Sequence, residues 1–162
     1  MLGKLRSELG ARLGSVLDCP VGTGRFLRLY RDLGIRYVTG VDASEEMLAL
    51  ARRKRWSRGV KLEQRDAAKL ELHASHDVAV CVRFLDLIDE RAMQTVTEGL
   101  CRAARHGVIL TVRLGPTYVP KVNTATHDER KFRALIRRLG WTVAEEVPIF
   151  DAGWRVMLLR RR

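Results

Sequence analysis

The stretch Val16-Leu17-Asp18-Cys19-Pro20-Val21-Gly22-Thr23-Gly24-Arg25-Phe26 runs from a short apolar strand into a glycine-rich turn that opens a helix. Glycines permit a tight turn and let a ligand approach bare backbone, and the amino end of a helix attracts polar groups. In doubly wound α/β proteins the first crossover from strand to helix is where nucleotides bind. The stretch therefore predicts a nucleotide site at the end of the first strand.

On both sides of this stretch, the spacing of apolar residues predicts alternating helices and strands. The expected strands are 15–19, 36–41, 60–64, 77–82 and 108–112, followed by an antiparallel pair, 141–149 and 154–159, bent at 151–153. The expected helices are 2–13, a helix from the turn to 33, one capped by Ser44, one from Asp89 to 105, and a last one ended by Gly140. We therefore expect one α/β domain over 1–162, with a mainly parallel seven-stranded sheet and helices on both faces.

Composition is that of a globular protein, with 46% hydrophobic and 30% charged residues among 162. No apolar run approaches the roughly 18 residues that span a bilayer, and the amino terminus lacks the apolar block of a secretory signal. Cys19, Cys81 and Cys101 are an odd number without metal-ligand spacing, so we expect reduced thiols, a cytoplasmic setting and no metal.

The charge is strongly basic, with thirty Lys and Arg against nineteen Asp and Glu, a net +11. Such an excess attracts anionic partners, including nucleic acid, phosphorylated metabolites and membrane surfaces, or simply keeps a protein soluble. Few aromatic residues are interleaved with the basic ones, so platforms for stacking single-stranded bases are not evident. A small-molecule, lipid or sugar-like acceptor, including an anionic one, is favoured over nucleic acid.

Three residues around the turn favour a nucleoside without phosphates over a dinucleotide. Asp42 ends the second strand, where a carboxylate can accept hydrogen bonds from both ribose hydroxyls. Leu27 occupies the place of the third glycine of the dinucleotide fingerprint, and Asp18 would repel a phosphate at the turn. S-adenosylmethionine has a ribose, a cationic amine and no phosphate, and it suits such a site.

Four motifs resemble those of class I S-adenosylmethionine-dependent methyltransferases. They are Asp18-x-x-x-Gly22-x-Gly24, Val41-Asp42-Ala43-Ser44-x-x-Met47-Leu48, Arg65-Asp66-Ala67 and the run from His76 to Leu85. The resemblance covers about residues 14–113 and implies the sheet order 3-2-1-4-5-7-6. It also implies S-adenosylmethionine as cofactor and S-adenosylhomocysteine as product.

The resemblance also implies which residues contact the cofactor. They are Asp18, Cys19, Pro20, Gly22, Gly24, Arg25, Asp42, Ala43, Met47, Asp66, Ala67 and Val82. By this assignment Asp18 holds the amino group through water and Asp42 takes the ribose hydroxyls. Asp66 and the Ala67 N–H would contact the adenine. A side chain at Gly24 would intrude on the ligand or strain the turn.

Simpler interpretations stand beside these roles. Asp42 could cap the next helix, although Ser44 is better placed, and Asp66 could be a turn residue. Met47 is expected in the core whatever else it contacts. Arg25 either binds the cofactor carboxylate or lies on the helix surface.

Arg83 and Asp86 follow the fourth strand, and the resemblance places them beside the transferred methyl group as candidate catalytic residues. Asp86 either takes a proton from a hydroxyl or amine acceptor or is a solvated loop carboxylate, which is the simpler interpretation. Only about 14 residues precede the first strand, so the lid is minimal. The site is then open to a large acceptor, or it is closed by the 114–127 loop, a second copy or a partner subunit. A cofactor-binding module that supports a catalytic partner is the alternative to an active enzyme.

Overall fold

Helices and strands alternate along the chain in the computed structural model, which describes residues 1–10, 13–116, 124–149 and 153–162. The α-helices are α1 Leu2–Leu9, α2 Leu27–Asp32, α3 Glu45–Arg52, α4 Glu90–Ala103 and α5 Glu129–Arg138. The strands are β1 Ser15–Asp18, β2 Tyr37–Asp42, β3 Val60–Gln64, β4 His76–Cys81, β5 Ala104–Gly115, β6 His127–Asp128, β7 Trp141–Pro148 and β8 Trp154–Arg161. Short 3-10 helices at Arg55–Ser57, Ala67–Lys69 and Leu85–Leu87 lie in the connections.

The strands form one sheet in the order β3-β2-β1-β4-β5-β8-β7, with the two-residue β6 paired to β5. Strands β1 to β5 run parallel to their neighbours, and β8 is antiparallel to both β5 and β7. Apart from the short additional β6, this is the predicted order. Because β1, β2 and β4 are parallel, their carboxyl ends meet at one edge of the sheet, where the site lies.

Several boundaries differ from the sequence prediction, three of them with a clear structural cause. Helix α1 ends at Leu9 because Gly10 adopts a left-handed φ of 53°. Helix α4 ends at Ala103, two residues early, because Ala104 is already extended and begins β5. Strand β5 is longer than expected because it also pairs with β4 at Ala104, with β8 at Gly107 and Arg113, and with β6 at Leu114 and Gly115. The predicted bend at 151–153 lies largely outside the described residues.

Two of the helix starts follow the predicted capping. The Ser44 hydroxyl accepts a hydrogen bond from the Met47 N–H, and the Asp89 carboxylate accepts one from the Ala92 N–H. Such caps satisfy amide groups that the first turn of a helix leaves without partners. Both predicted helix starts are confirmed.

The sheet has an apolar core on each face. One core packs α4 and α5 on the sheet, through residues such as Leu100 and Phe132. The other packs α1, α2 and α3 through Leu5, Leu27 and Leu48. Helices α3 and α5 therefore lie on opposite faces. None of the described helices is both long and apolar enough to cross a membrane.

Candidate functional site

The turn after β1 is held between the ends of β1 and β2. The Val21 N–H donates to the Val41 carbonyl at 2.8 Å, and the Gly24 N–H donates to the Val21 carbonyl at 3.0 Å. Gly22 and Gly24 have φ of 54° and 75°, the left-handed conformation that glycine adopts without steric cost. The two predicted glycines are thus needed by the backbone itself.

The two glycines have different surroundings. A Cβ on Gly22 would meet nothing within 4 Å, whereas a Cβ on Gly24 would lie 2.8 Å from Leu27 Cδ1 and 3.3 Å from Ala51 Cβ. The left-handed φ of Gly24 agrees with the predicted alternative that a side chain there would strain the turn, and its Cβ would also meet Leu27 and Ala51. Gly24 is needed because α2 and α3 pack against it, and Gly22 is the glycine that faces open space.

Asp42 anchors the turn through both of its carboxylate oxygens. Oδ2 accepts a hydrogen bond from the Gly22 N–H at 2.8 Å, and Oδ1 accepts one from the Ser44 N–H at 2.9 Å. Each oxygen of an ionised carboxylate has a second lone pair, so two acceptor positions remain. Asp42 can therefore hold the turn and still accept hydrogen bonds from two hydroxyls.

Asp18 lies beneath the turn at the end of β1, with 1% of its surface exposed. Its Oδ2 has no hydrogen-bond partner among the described residues. Burial raises the pKa of Asp18 to about 7; the nearby Tyr30 hydroxyl opposes this rise, and the charge of Asp42 adds to it. A buried carboxylate without a partner is costly, and a cationic group bound nearby would favour its ionised form.

A cavity of about 630 Å³, here called the turn cavity, opens above these residues. Its volume lies within the range of small-ligand sites. It brings together seven of the predicted site residues: Pro20, Gly22, Arg25, Met47, Val82, Arg83 and Asp86. The expectation that Met47 lies in the core is wrong: 40% of it is exposed, because Leu48 and Ala51 form the buried face of α3.

The remaining predicted residues lie around the turn cavity but not in its wall. Asp18, Cys19 and Gly24 are buried beneath the turn. On the β2–β3 side, exposed Asp66 caps a 3-10 helix by accepting from the Ala68 N–H, the structural role that the simpler interpretation gave it. Ala67 is buried, and the exposed Ala43 accepts a hydrogen bond from the Gln64 side chain through its carbonyl.

Asp86 is buried, with 2% of its surface exposed, so its interpretation as a solvated loop carboxylate is wrong. The end of the 114–127 loop lies against it, and the Ala125 N–H donates to the Asp86 carbonyl. Oδ1 of Asp86 has no hydrogen-bond partner among the described residues. Burial raises the pKa of Asp86, while the charges of Arg83, His127 and Arg113 act to lower it. The turn cavity therefore has a buried carboxylate in its wall.

Arg83 has a φ of 56°, a conformation that non-glycine residues rarely adopt. The Thr111 hydroxyl on the neighbouring strand β5 accepts a hydrogen bond from the Arg83 N–H and holds it there. The Arg83 side chain is exposed at the rim of the turn cavity. Retained strain of this kind often marks a functional position.

Six residues in the wall of the turn cavity were not among the predicted site residues: Val21, Thr23, Phe26, Leu87, Thr124 and Trp154. Thr124 lies just before β6, and Trp154 begins β8. Both are far from the turn along the chain, and no local sequence pattern marks them. Residues 117–123 of the predicted closing loop lie outside the described residues. Thr124 shows that the end of this loop does reach the site.

Two known proteins have sequences similar to that of this chain. Phosphatidylethanolamine N-methyltransferase of Cereibacter sphaeroides is 35% identical over 106 residues, which cover 62% of this chain and 50% of that protein. Ubiquinone biosynthesis O-methyltransferase of Cronobacter sakazakii is 29% identical over 165 aligned residues, which cover 91% of this chain and 67% of that protein. The chain thus spans half the length of the first relative and two thirds of the second.

One solved structure combines a similar fold with bound ligands. The Burkholderia thailandensis 1,6-didemethyltoxoflavin-N1-methyltransferase, with bound 1,6-didemethyltoxoflavin and S-adenosylhomocysteine, has a TM-score of 0.74 and 26% identity. The similarity covers 98% of this chain and 75% of that one. Residues 16–107, more than half of the chain, also match the family model described as a methyltransferase domain. The chain belongs to the class I S-adenosylmethionine-dependent methyltransferase family.

Proposed function

We propose that the protein transfers a methyl group from S-adenosylmethionine to a hydroxyl or amine of a small-molecule acceptor. The observation that carries this proposal is Asp86, a buried carboxylate in the wall of the cavity above the turn whose Oδ1 has no partner among the described residues. The relatives support a small acceptor, since their names give a phospholipid, a quinone pathway and a toxoflavin precursor. The predicted sugar-like acceptor has no such support.

The residues of the site fit the cofactor. Gly22 leaves open space above the turn, the two free lone pairs of Asp42 suit a ribose diol, and Asp18 suits a cationic amine. Met47 lies half-exposed in the cavity wall, where it would pack on the adenine. Pro20, Arg25 and Val82 line the same wall.

When bound, the cofactor supplies an activated methyl group on a sulfonium. Methyl transfer of this kind depends mainly on the alignment of the reactants. The Asp86 carboxylate would accept the proton that a hydroxyl or amine acceptor loses. Because burial raises the pKa of Asp86, its carboxylate is a stronger base than a solvated one. Arg83, held by Thr111, would fix the orientation of the acceptor.

Radiolabelled transfer tests the proposal. Protein and S-adenosylmethionine with a tritiated methyl group are incubated with cell-extract fractions, with and without nuclease treatment. We expect nuclease-resistant label in a small-molecule or lipid fraction. Label that disappears with nuclease, or no transfer at all despite cofactor binding, would contradict the proposal; the second result would favour a non-catalytic module.

Two carboxylate variants test the role of Asp86. Asp86→Asn should lower the transfer rate about 10²–10⁴-fold, the usual contribution of a general base. Binding of S-adenosylhomocysteine, measured by calorimetry, should stay within about threefold of wild type. Asp89→Asn is the matched control, because Asp89 is exposed and caps α4 nearby. Full activity of Asp86→Asn would exclude proton transfer to Asp86.

A further inference from the structure

A second hollow of about 490 Å³, here called the apolar cleft, lies beside the turn cavity. One wall is the sheet face that carries Ile109 of β5 and Val156 of β8. The opposite wall is formed by Phe26 and Leu29 at α2, and Val147 of β7 lies at the rim. Leu29 and Val147 are 44% and 47% exposed, high values for large aliphatic residues facing a common hollow. Such a surface is stabilised when an apolar molecule covers it.

The apolar cleft adjoins the turn cavity. Four residues line both hollows: Arg25, Phe26, Val82 and Arg83. A molecule in the cleft would therefore have one end where Asp86 and the turn lie. An acceptor must reach this junction for methyl transfer.

The junction between the two hollows is positively charged. The side chains of Arg25 and Arg83 are exposed there, and neither forms an ion pair within the described part of the chain. Around the apolar cleft no carboxylate is among the described lining residues. Guanidinium groups bind carboxylates and phosphates through paired hydrogen bonds.

We propose that the apolar cleft binds the hydrocarbon part of an amphiphilic acceptor, with an anionic group of that acceptor on Arg25 and Arg83. This inference rests on the proposed methyl transfer and names the class of its acceptor. The cleft shields the hydrocarbon part from water, and the two arginines fix which end of the molecule enters the junction. A second copy of the chain or a peptide helix would cover the apolar wall. Neither would account for the two arginines at the cofactor end, which have no ion pair among the described residues.

Calorimetry with simple amphiphiles tests the inference without knowing the natural acceptor. Dodecanoate, kept below its micelle concentration, should bind the cofactor-free protein, and dodecyltrimethylammonium should bind at least tenfold more weakly. Leu29→Gln should weaken dodecanoate binding about tenfold, since an apolar wall residue becomes polar. Leu50→Gln is the matched control, because Leu50 is 43% exposed on α3, outside the cleft. Arg25→Gln should weaken binding of dodecanoate but not of neutral dodecanol.

The outcomes separate this inference from the proposed function. If S-adenosylhomocysteine binds but dodecanoate does not, the cleft inference is overturned and the proposed function stands. If dodecanoate binds as expected but S-adenosylhomocysteine does not, the proposed function fails and the cleft remains a ligand site. Equal losses in Leu29→Gln and Leu50→Gln would show nonspecific binding and overturn the inference. So would a dimer in sedimentation velocity that Leu29→Gln dissociates, because a second copy would then cover the cleft.

Discussion

The turn cavity and the apolar cleft lie side by side but are built in different ways. The turn cavity has backbone at its centre, with Gly22 and the amide groups that Asp42 holds. The apolar cleft is made of side chains, and its walls come from residues as distant as Phe26 and Val156. The turn cavity therefore depends on a few consecutive residues, whereas the apolar cleft depends on how the whole sheet is assembled.

The two hollows also differ in their polar groups. Asp18 and Asp86 are buried beneath or within the turn cavity, and each has a carboxylate oxygen without a partner among the described residues. Buried polar atoms without partners are uncommon in folded proteins, so their concentration here indicates where ligand atoms belong. Among the described lining residues of the cleft, the charged side chains are Arg25 and Arg83, and both lie at the junction. The polar groups of the turn cavity thus determine which chemical groups bind there, whereas the shape of the cleft determines which molecules fit in it.

The largest expected effect on cofactor binding comes from filling the turn cavity at Gly22. Gly22→Leu should weaken S-adenosylhomocysteine binding more than about 100-fold, and it should cost only about 1–2 kcal/mol of unfolding free energy from the positive φ. Gly59→Leu is the matched control, because Gly59 has a φ of 80° and open space around it but lines neither hollow. Calorimetry and urea unfolding measure both effects. If Gly22→Leu bound S-adenosylhomocysteine normally, the cofactor would not lie above Gly22.

Asp42→Asn should weaken S-adenosylhomocysteine binding by about 1.5–3 kcal/mol, because a charged acceptor of ribose hydrogen bonds is lost. The substitution also loosens the turn, so affinity alone does not isolate the ribose contact. Competition between adenosine and 2′,3′-dideoxyadenosine does isolate it. Wild type should prefer adenosine, and Asp42→Asn should lose the preference. An unchanged preference would remove Asp42 from the ribose site.

The turn cavity could be predicted because most of its determinants are local in sequence. The spacing from Asp18 to Gly22 and on to Asp42 defines a strand, a turn and the end of the next strand. The close packing at Gly24 was not predicted: Leu27, in the place of the third glycine, and Ala51 of α3 leave no room for a Cβ there. Met47 was misjudged because a helix of eight residues buries only one narrow face.

The burial of Asp86 and the apolar cleft could not be predicted. Asp86 is buried because Ala125 and its neighbours return to cover it from nearly forty residues further along the chain. The cleft exists because α1 and α2 leave part of the face of β5 and β8 uncovered, which depends on helix length and packing. Neither the burial of Asp86 nor the apolar cleft follows from the spacing of nearby residues in the sequence.

The pH dependence of binding distinguishes Asp18 from the rest of the site. Because burial raises its pKa to about 7, only the ionised form above that pH attracts the cofactor amine. S-adenosylmethionine affinity should fall by up to about tenfold per pH unit below 7 and level off from 7 to about 7.7, above which the amine itself loses its proton. Binding of methylthioadenosine, which lacks the amine, should not follow this profile. Asp18→Asn should remove the dependence, and a flat wild-type profile would contradict the role of Asp18.

The same raised pKa predicts how stability changes with pH. Between the ordinary value of 3.8 and about 7, the folded protein keeps a proton on Asp18 that the unfolded chain releases. Stability should therefore fall as pH rises across this window, by up to about 1.4 kcal/mol per pH unit, with no further loss from Asp18 above it. Urea unfolding of wild type and Asp18→Asn from pH 4 to 8 measures the difference. A wild-type loss no steeper than that of Asp18→Asn would contradict the raised pKa.

The smallest expected effect concerns nucleic-acid binding. Strong binding of nucleic acid would indicate that the apolar cleft is not the acceptor site. Three of the five basic residues of α5 form ion pairs: Lys131 with Glu90, Arg138 with Glu98, and Arg133 with Glu129 and Glu146. A second basic cluster, Arg52 to Arg55 at the carboxyl end of α3, lies on the opposite face of the sheet.

A single surface that follows a phosphate backbone is therefore not formed by these two helices. We expect single-stranded RNA and duplex DNA to bind only at low salt, with a slope of log affinity against log salt near −0.7 to −0.9 for each phosphate contacted. At about 0.15 M salt, filter binding should give no submicromolar complex. Submicromolar binding there would make nucleic acid the leading acceptor. The arginines at the junction would then hold a phosphate backbone, and the apolar cleft would have to serve another ligand.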